Sequence, residues 1–335
     1  MMAYTALNPD SAAAALHMSS MKSGLTMHSR KLSLVVPVYF NAGSLPTLFD
    51  ELLRLEAQLD ACAVGLELIF VDDGSKDESL ARLLELKERR PKTKVIKLTR
   101  NFGAAHCLKT GLRFVTGDCF ADLAADLQDP PELLLEAVKR WLSGSKFVIF
   151  ERESRDDPVT AKVFSKVYYK LLRLMVMKDF PEGGFDLCLM DKDMLPYMLN
   201  SAKNSFPALL AYWLGYPADV IPYHRRRRTH GKSRWTVVKK IKTFLDVMLG
   251  FSVTPIRTIS VIGILVSFLS FFYGMHIVIF ALIEGSPVAG FPTIVTLITF
   301  LLGLIILMLG IIGEYLWRIF DETNLRPETV IEKVY

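Results

Sequence analysis

The chain has 335 residues, about half of them apolar, and a net charge of +5. That length allows one large domain, or one domain with an appendage. The four cysteines, Cys62, Cys107, Cys119 and Cys188, form no CxxC pair and no zinc-ligand spacing; this excludes a thiolate metal centre and leaves reduced, buried thiols of an intracellular domain. The apolar excess is uneven. Residues 1–250 have the mixture of an ordinary globular domain, and residues 251–320 are mostly apolar.

Residues 1–30 are rich in Ser, Met and Ala, have no apolar run long enough for a signal-peptide core, and are expected to be a disordered tail. From Lys31 the pattern is regular. KLSLVVPVY predicts a buried strand, and SLPTLFDELLRLEAQLD an amphipathic helix with Ser44 as N-cap. LELIFVDDGS predicts a second strand ending in two acids. SKDESLARLLELKERR predicts a helix opened by a capping box, Ser75 with Glu78. KVIKLTR, DCFADLAAD and KFVIFE predict further strands. AAHCLKTGLRFV and DPPELLLEAVKRW predict the helices between them, the second with Asp129 as N-cap and Pro130 in its first turn; Glu132 is also assigned to capping. Continuous apolar strands alternating with helices imply βαβ units and a mainly parallel sheet. Ligands of such sheets sit beyond the strand carboxyl ends, at a topological switch point. Asp72, Asp73 and Asp126 are expected there.

Basic residues cluster at Arg225 to Arg228 and in Lys232, Arg234, Lys239, Lys240 and Lys242. Because an apolar run follows, this cluster is read as the cytoplasmic flank of a membrane segment rather than a nucleic-acid surface. Two uncharged runs, 258–283 and 285–313, each exceed the ~20 residues that cross a bilayer core. They predict a hairpin of two spans, about 258–283 and 291–316, turning at Glu284, Gly285, Pro287, Gly290 and Pro292. The connector has no Lys or Arg and both outer flanks do, which puts the large domain and the C-terminal tail in the cytoplasm. Residues 159–178 and 236–251 are basic and amphipathic and are expected to lie on an anionic membrane surface. The expected organisation is a tail (1–30), an α/β domain (31–235), an interfacial helix (236–256), two membrane helices (257–317) and a C-terminal tail (318–335).

Taken alone, VDDGS is a turn with a capping serine. But SLVVPVY, VDDGSKD, RNFGAAHCLKTGL and ADLQDPPE follow one another in this order across a βαβ sheet. The combination resembles family 2 glycosyltransferases of GT-A fold, and more narrowly the polyprenyl-phosphate glycosyltransferases. GEYLWRIFDETNLRP at 313–327 is similar to the closing motif of their bacterial members. The resemblance covers residues 31–335 and implies a Rossmann-like GT-A sheet. It also implies a nucleotide-diphosphate sugar donor, a polyprenyl phosphate acceptor, and Mg²⁺ or Mn²⁺.

The same resemblance supplies the site residues. Asp126 and Gln128 are the metal ligands it implies, both with oxygen donors. The family pattern is commonly Asp-x-Asp-x-Gln, and Ala124 stands here in place of the first acid; Asp122, two residues earlier, lies deeper in the strand. Asp72, Asp73, Pro37 and Tyr39 match donor-binding positions. Arg100 matches one as well, with a plain surface arginine as the alternative. GGFDLCLMDKD resembles the acceptor-side loop, with Asp186 beside the reacting phosphate; a strand-edge aspartate is the alternative. RRRRTHGKSRW matches the family stretch Arg-x-x-Gly-x-Ser-Lys-Tyr, which puts Arg228, Ser233 and Arg234 on phosphate oxygens. The expected activity is inverting sugar transfer at the cytoplasmic face of a bacterial inner membrane, by a multi-pass protein that forms a homo-oligomer, a tetramer by resemblance. No nucleic-acid partner is expected. The rival readings are a processive polysaccharide synthase, whose Gln-x-x-Arg-Trp motif lacks its glutamine in KSRW, and a degenerate nucleotide-sugar-binding scaffold.

Overall fold

The computed structural model describes residues 30–155, 168–226, 237–284 and 290–335. The expected disordered tail and the Lys162, Lys166 and Phe164 pattern lie outside them; Arg30 is already in the first strand. The elements are β1 (Arg30–Val38), α1 (Leu45–Asp60), β2 (Val64–Asp72), α2 (Ser79–Arg89), β3 (Lys94–Leu98), α3 (Ala104–Leu112), β4 (Cys119–Asp122), α4 (Leu133–Leu142) and β5 (Phe147–Arg155). A helical stretch at 168–175 follows. Then come β6 (Cys188–Asp191), α5 (Leu195–Leu199), α6 (Pro207–Trp213), β7 (Ala218–Arg225), α7 (Val237–Phe251), α8 (Thr254–Glu284), α9 (Phe291–Thr323) and β8 (Ile331–Val334).

One mixed sheet runs in the order β7-β5-β6-β4-β1-β2-β3-β8. β4, β1, β2 and β3 are parallel neighbours, while β6 is antiparallel to β4 and β5, and β8 to β3. Their continuous apolar runs are buried because helices cover both faces. Leu34, Val36, Phe70 and Ala121 pack towards α1, α2 and α4. Val35, Ile69, Val71 and Phe120 pack towards α3, α5, α6 and α7. Strand order reverses between β1 and β4, which makes that boundary the switch point.

Four local expectations are corrected. β4 ends at Asp122, so Asp126 lies in a turn four residues beyond the strand and not at its end. Ser44 occupies the α1 N-cap position without a capping hydrogen bond; its hydroxyl donates instead to the Ala125 carbonyl at 2.6 Å. No capping box opens α2: the helix starts at Ser79, whose N–H is held by Asp77, and Ser75 accepts from the Phe40 N–H. α4 starts at Leu133, which leaves Asp129 and Pro130 outside the helix. Glu132 holds its N-cap position without a side-chain cap and pairs with Arg226 instead.

The apolar C-terminal runs form α8 and α9, of 31 and 33 residues. Among the described residues one helical segment, Phe300–Thr323, is long and apolar enough to cross a membrane. α7 meets α8 at a 77° bend between Phe251 and Thr254. The expected C-terminal tail, 318–335, contains regular structure. α9 runs to Thr323, and Ile331–Val334 form β8, which extends the sheet beyond β3.

Candidate functional site

Sheet direction brings the candidate residues to one end. The parallel strands β1, β2, β3 and β4 deliver Tyr39, Asp72 and Asp73, Arg100, and the 123–128 turn from their carboxyl ends. β6 runs the opposite way, so Asp186, just before it, opens at that same end. β7 is parallel to β5 and delivers Arg225 and Arg226 there as well.

The β2 turn is shaped by glycine. Gly74 has φ +66°, and a Cβ on it would stand 2.5 Å from the Arg100 carbonyl carbon, so the 72–75 turn lies against the chain leaving β3. Asp73 uses that proximity. Its buried carboxylate accepts from Asn101 Nδ2 at 2.9 Å, Phe102 N–H at 2.7 Å and Gly103 N–H at 3.0 Å. Asp73 thus clamps the loop that opens α3. Asp72 is equally buried; one oxygen accepts from the Ser75 N–H at 3.3 Å, and Oδ2 has no hydrogen-bond partner. Burial pushes both carboxyls above the usual range, against the pull of these donors. Arg100 lies exposed over the Phe102 ring, 4.0 Å from its centre. Pro37 pairs in register with Val71, and Tyr39 is half-buried, edge-on to Phe40.

The 123–128 turn is stitched to the β1 end by two residues that sequence reasoning left out of the site. Asn41 accepts from the Tyr39 N–H at 3.0 Å and donates to the Ala125 carbonyl at 3.4 Å, the carbonyl that Ser44 also holds. An Asn in the turn a few residues past a strand end is the signal that identifies such a loop-closing residue. Leu127 takes φ +61°, and Asp126 Oδ1 accepts from the Gln128 N–H at 3.2 Å. Gln128 donates through Nε2 to the Arg226 carbonyl at 3.4 Å. Ala124 is exposed. Asp122 closes β4 in register with Val35, and burial, with the charge of Asp129 adding to it, pushes its carboxyl up to about 7.

Among the described residues no group of three or more His, Cys, Asp or Glu side chains collects as a metal site. The oxygens of Asp126 and Gln128 are hard donors that fit Mg²⁺ or Mn²⁺ if substrate oxygens and water complete the shell. The unpartnered Oδ2 of Asp72 is a further oxygen at this end of the sheet.

On the far side of the switch point, Asp186 is half exposed and ion-paired with Arg152 of β5, whose side chain is 4% exposed. Sequence reasoning did not single out Arg152, because the predicted strand KFVIFE stops one residue before it, whereas β5 runs on to Arg155. The loop before Asp186 is tight: Gly184 has φ +62°, and a Cβ there would fall 2.1 Å from the Tyr169 ring. Arg228, Ser233 and Arg234 lie outside the described residues.

Residues 33–199 match the profile of Glycosyl transferase family 2. The chain is 33% identical over 305 residues to the uncharacterized glycosyltransferase YkcC of Bacillus subtilis, covering 90% of this chain and 94% of that one. It is 31% identical over 304 residues to the bactoprenol glucosyl transferase of Shigella phage SfX, covering 90% and 99%. Among solved structures, glucosyl-3-phosphoglycerate synthase from Mycobacterium tuberculosis overlaps with a TM-score of 0.46 at 16% identity, covering 67% of this chain and 80% of that one. By the family match and the two relatives the chain belongs to glycosyl transferase family 2 and is a glycosyltransferase.

Proposed function

We propose that the chain transfers a sugar from a nucleotide-diphosphate sugar to a polyprenyl phosphate, with inversion, at the cytoplasmic face of a bacterial membrane. One observation carries this reading. The chain leaves α9 and enters β8 at the same end of the sheet that gathers Asp72, Asp126, Asp186 and Arg225, since Leu98 at the end of β3 pairs with Ile331 at the start of β8. The apolar helices and the candidate site therefore share one end of the domain. A water-soluble donor and a lipid-borne acceptor meet where those two features coincide. The bactoprenol glucosyl transferases among the relatives, matched over nearly their whole length, support the acceptor class.

Each residue then has a task. Asp72 and Tyr39 face the nucleoside, with Pro37 beneath. Asp73 and Arg100 shape the donor pocket through the 100–103 loop. Asp126 and Gln128 would hold Mg²⁺ or Mn²⁺, which when bound would neutralise charge on the departing diphosphate. Arg228, Ser233 and Arg234 add donors to phosphate oxygens. Asp186 orients the acceptor phosphate. That phosphate has a second pKa of ~6 and needs little deprotonation, so a fixed carboxylate suffices and a strong base is not required. α8 and α9 cross the bilayer as a hairpin: both exceed the ~20 residues a span needs, and both expose apolar side chains such as Ile264, Leu269, Leu302 and Ile306. The 77° bend before α8 suits a basic α7 lying along the headgroups. The enzyme is proposed to act as a homo-oligomer.

The test is purified full-length protein with radiolabelled nucleotide sugars, Mn²⁺ and polyprenyl phosphate. Lipid-extractable label is the expected result. Insoluble polymer means a synthase instead, and donor binding without product means a scaffold, the outcome that an exposed Ala124 in place of an acid would favour. Asp126→Ala is expected to abolish transfer with the unfolding midpoint unchanged; transfer at the parent rate removes the metal assignment. In the parent, a cognate nucleotide sugar at 100 times its dissociation constant should add about 2.7 kcal/mol of stability, which a thermal-shift series with and without Mn²⁺ reads directly.

A further inference from the structure

Asp129 and Glu132 follow the Asp126–Gln128 turn and look, by sequence, like helix caps. Neither caps α4. Asp129 is 2% exposed and faces β7. Its Oδ1 accepts from the Tyr223 hydroxyl at 2.6 Å and lies 3.3 Å from Arg225 Nε. Around it the two segments are laced together. The Arg226 N–H donates to the Gln128 carbonyl at 3.0 Å, and the Gln128 side chain donates back to the Arg226 carbonyl. The Arg226 guanidinium pairs with Glu132, and with Glu51 at 3.4 Å. A buried carboxylate is costly unless paired, and this one is spent on joining two strand ends and not on starting a helix.

The two ends so joined matter because of what each carries. One side is the turn with Asp126 and Gln128. The other is the last residue of β7, from which the RRRRTHGKSRW segment departs. We propose that Asp129 is a positioning residue: its carboxylate registers the Asp126–Gln128 turn against Arg225 and Arg226 at the end of β7, so that Asp126 and Gln128 are held in place to act on the donor diphosphate. The proposal rests on the assignment of Asp126 and Gln128 to the donor side. It predicts that Asp129 acts through Arg225, and that its loss is felt in the transition state, where the diphosphate gains charge, more than in donor binding.

The test is a double-mutant cycle on the full-length, detergent-purified enzyme with Mn²⁺, nucleotide sugar and polyprenyl phosphate. Asp129→Asn keeps an oxygen for Tyr223 and removes the charge facing Arg225. It is expected to lower kcat by about tenfold or more with KM for the nucleotide sugar within about twofold, the pattern of a displaced transition-state contact. Arg225→Gln should give the same loss, and the double variant no further loss. A kcat for Asp129→Asn within about twofold of the parent overturns the proposal, as do losses that multiply in the double variant. If Asp129→Asn does not fold, Tyr223→Phe takes its place in the same cycle. A second measurement does not depend on turnover. Trypsin should cut after Arg225 and Arg226 faster in Asp129→Asn than in the parent, and equal rates also overturn the registry. If the parent makes no lipid-linked sugar, the assigned function fails, while the trypsin comparison still decides the role of Asp129.

Discussion

A carboxylate at the end of a parallel strand is costly unless something compensates it, and Asp73, Asp72 and Asp122 differ in what does. Asp73 has three donors from one loop. Replacing it with Ala strands the Phe102 and Gly103 N–H groups and should cost about 2–3 kcal/mol of unfolding free energy in a denaturant titration, far more than an Arg100→Ala change on the exposed side of the same loop. Asp72 has one backbone donor and one unpartnered oxygen. Asp122 is left mainly to burial. Its pKa rises from the ordinary 3.8 to about 7, so the folded state keeps a proton that the unfolded chain releases, and stability falls as pH rises across that window. Asp122→Asn removes the penalty. In EDTA the variant should unfold at a higher temperature than the parent at about pH 8, and the two should converge near pH 4. An equal gap at both pH values refutes this account. The acids themselves were legible in the sequence, because VDDGS and ADLQDPPE follow strand patterns. Their partners were not. That Asp73 serves the 101–103 loop and Asp129 serves β7 depends on which strands become neighbours, and no local pattern encodes that.

Strands β1 to β5 and the helices α1 to α4 between them were legible because their apolar runs are continuous and alternate with amphipathic helices, whereas β6, α5, α6 and β7 carried no expectation. Ends were less legible. DCFADLAAD reads as one strand, yet pairing with β1 stops at Asp122, and the chain turns through Leu127 in the left-handed region. β8 was missed outright: IEKV is four residues long, and its partner β3 lies far back in the chain. It is secured at its entry by Glu328, whose carboxylate meets His106 at 3.0 Å, Lys109 at 3.4 Å and Arg113 at 3.5 Å, and by Thr329 against Thr110. Burial pushes the Glu328 carboxyl up, but the His106 hydrogen bond and the Lys109 charge outweigh it and hold it below its usual range. A depressed pKa contributes stability above the unfolded value of 4.5 and loses it as pH falls through the lower folded value. Glu328→Gln should therefore destabilise the protein by about 1–3 kcal/mol near neutrality, with a gap from the parent that closes below about pH 4. A gap that persists in acid assigns the effect to lost packing.

For the molecule as a whole, the base of the apolar helices is tied to the α/β domain at several points. Ser252, in the bend between α7 and α8, donates to the Met175 carbonyl at 2.6 Å, and Tyr315 of α9 donates to the Ser252 carbonyl at 3.2 Å. Arg318 of α9 pairs with Asp246 of α7 at 2.8 Å, and Lys203 donates to the Asp321 carbonyl at 2.8 Å. Such a web fixes the candidate site relative to the base of the apolar helices. Arg318→Ala should leave carbonate-resistant membrane attachment intact while raising KM for polyprenyl phosphate more than KM for the nucleotide sugar. Equal effects on the two substrates remove that role. The apolar runs that make these helices were plain in the sequence; the polar ties at their base were not, since each joins residues from distant segments.

One consequence concerns biosynthesis. Lys97 of β3 leaves the ribosome 235 positions before its β8 partner Glu332, with every apolar helix in between. Until translation passes the last of those helices, the growing domain displays an unpaired strand edge, the feature that invites wrong partners. Sheet completion in this protein therefore waits until both apolar helices have been synthesised, so a nascent chain stalled in α9 should still be vulnerable to protease along β3.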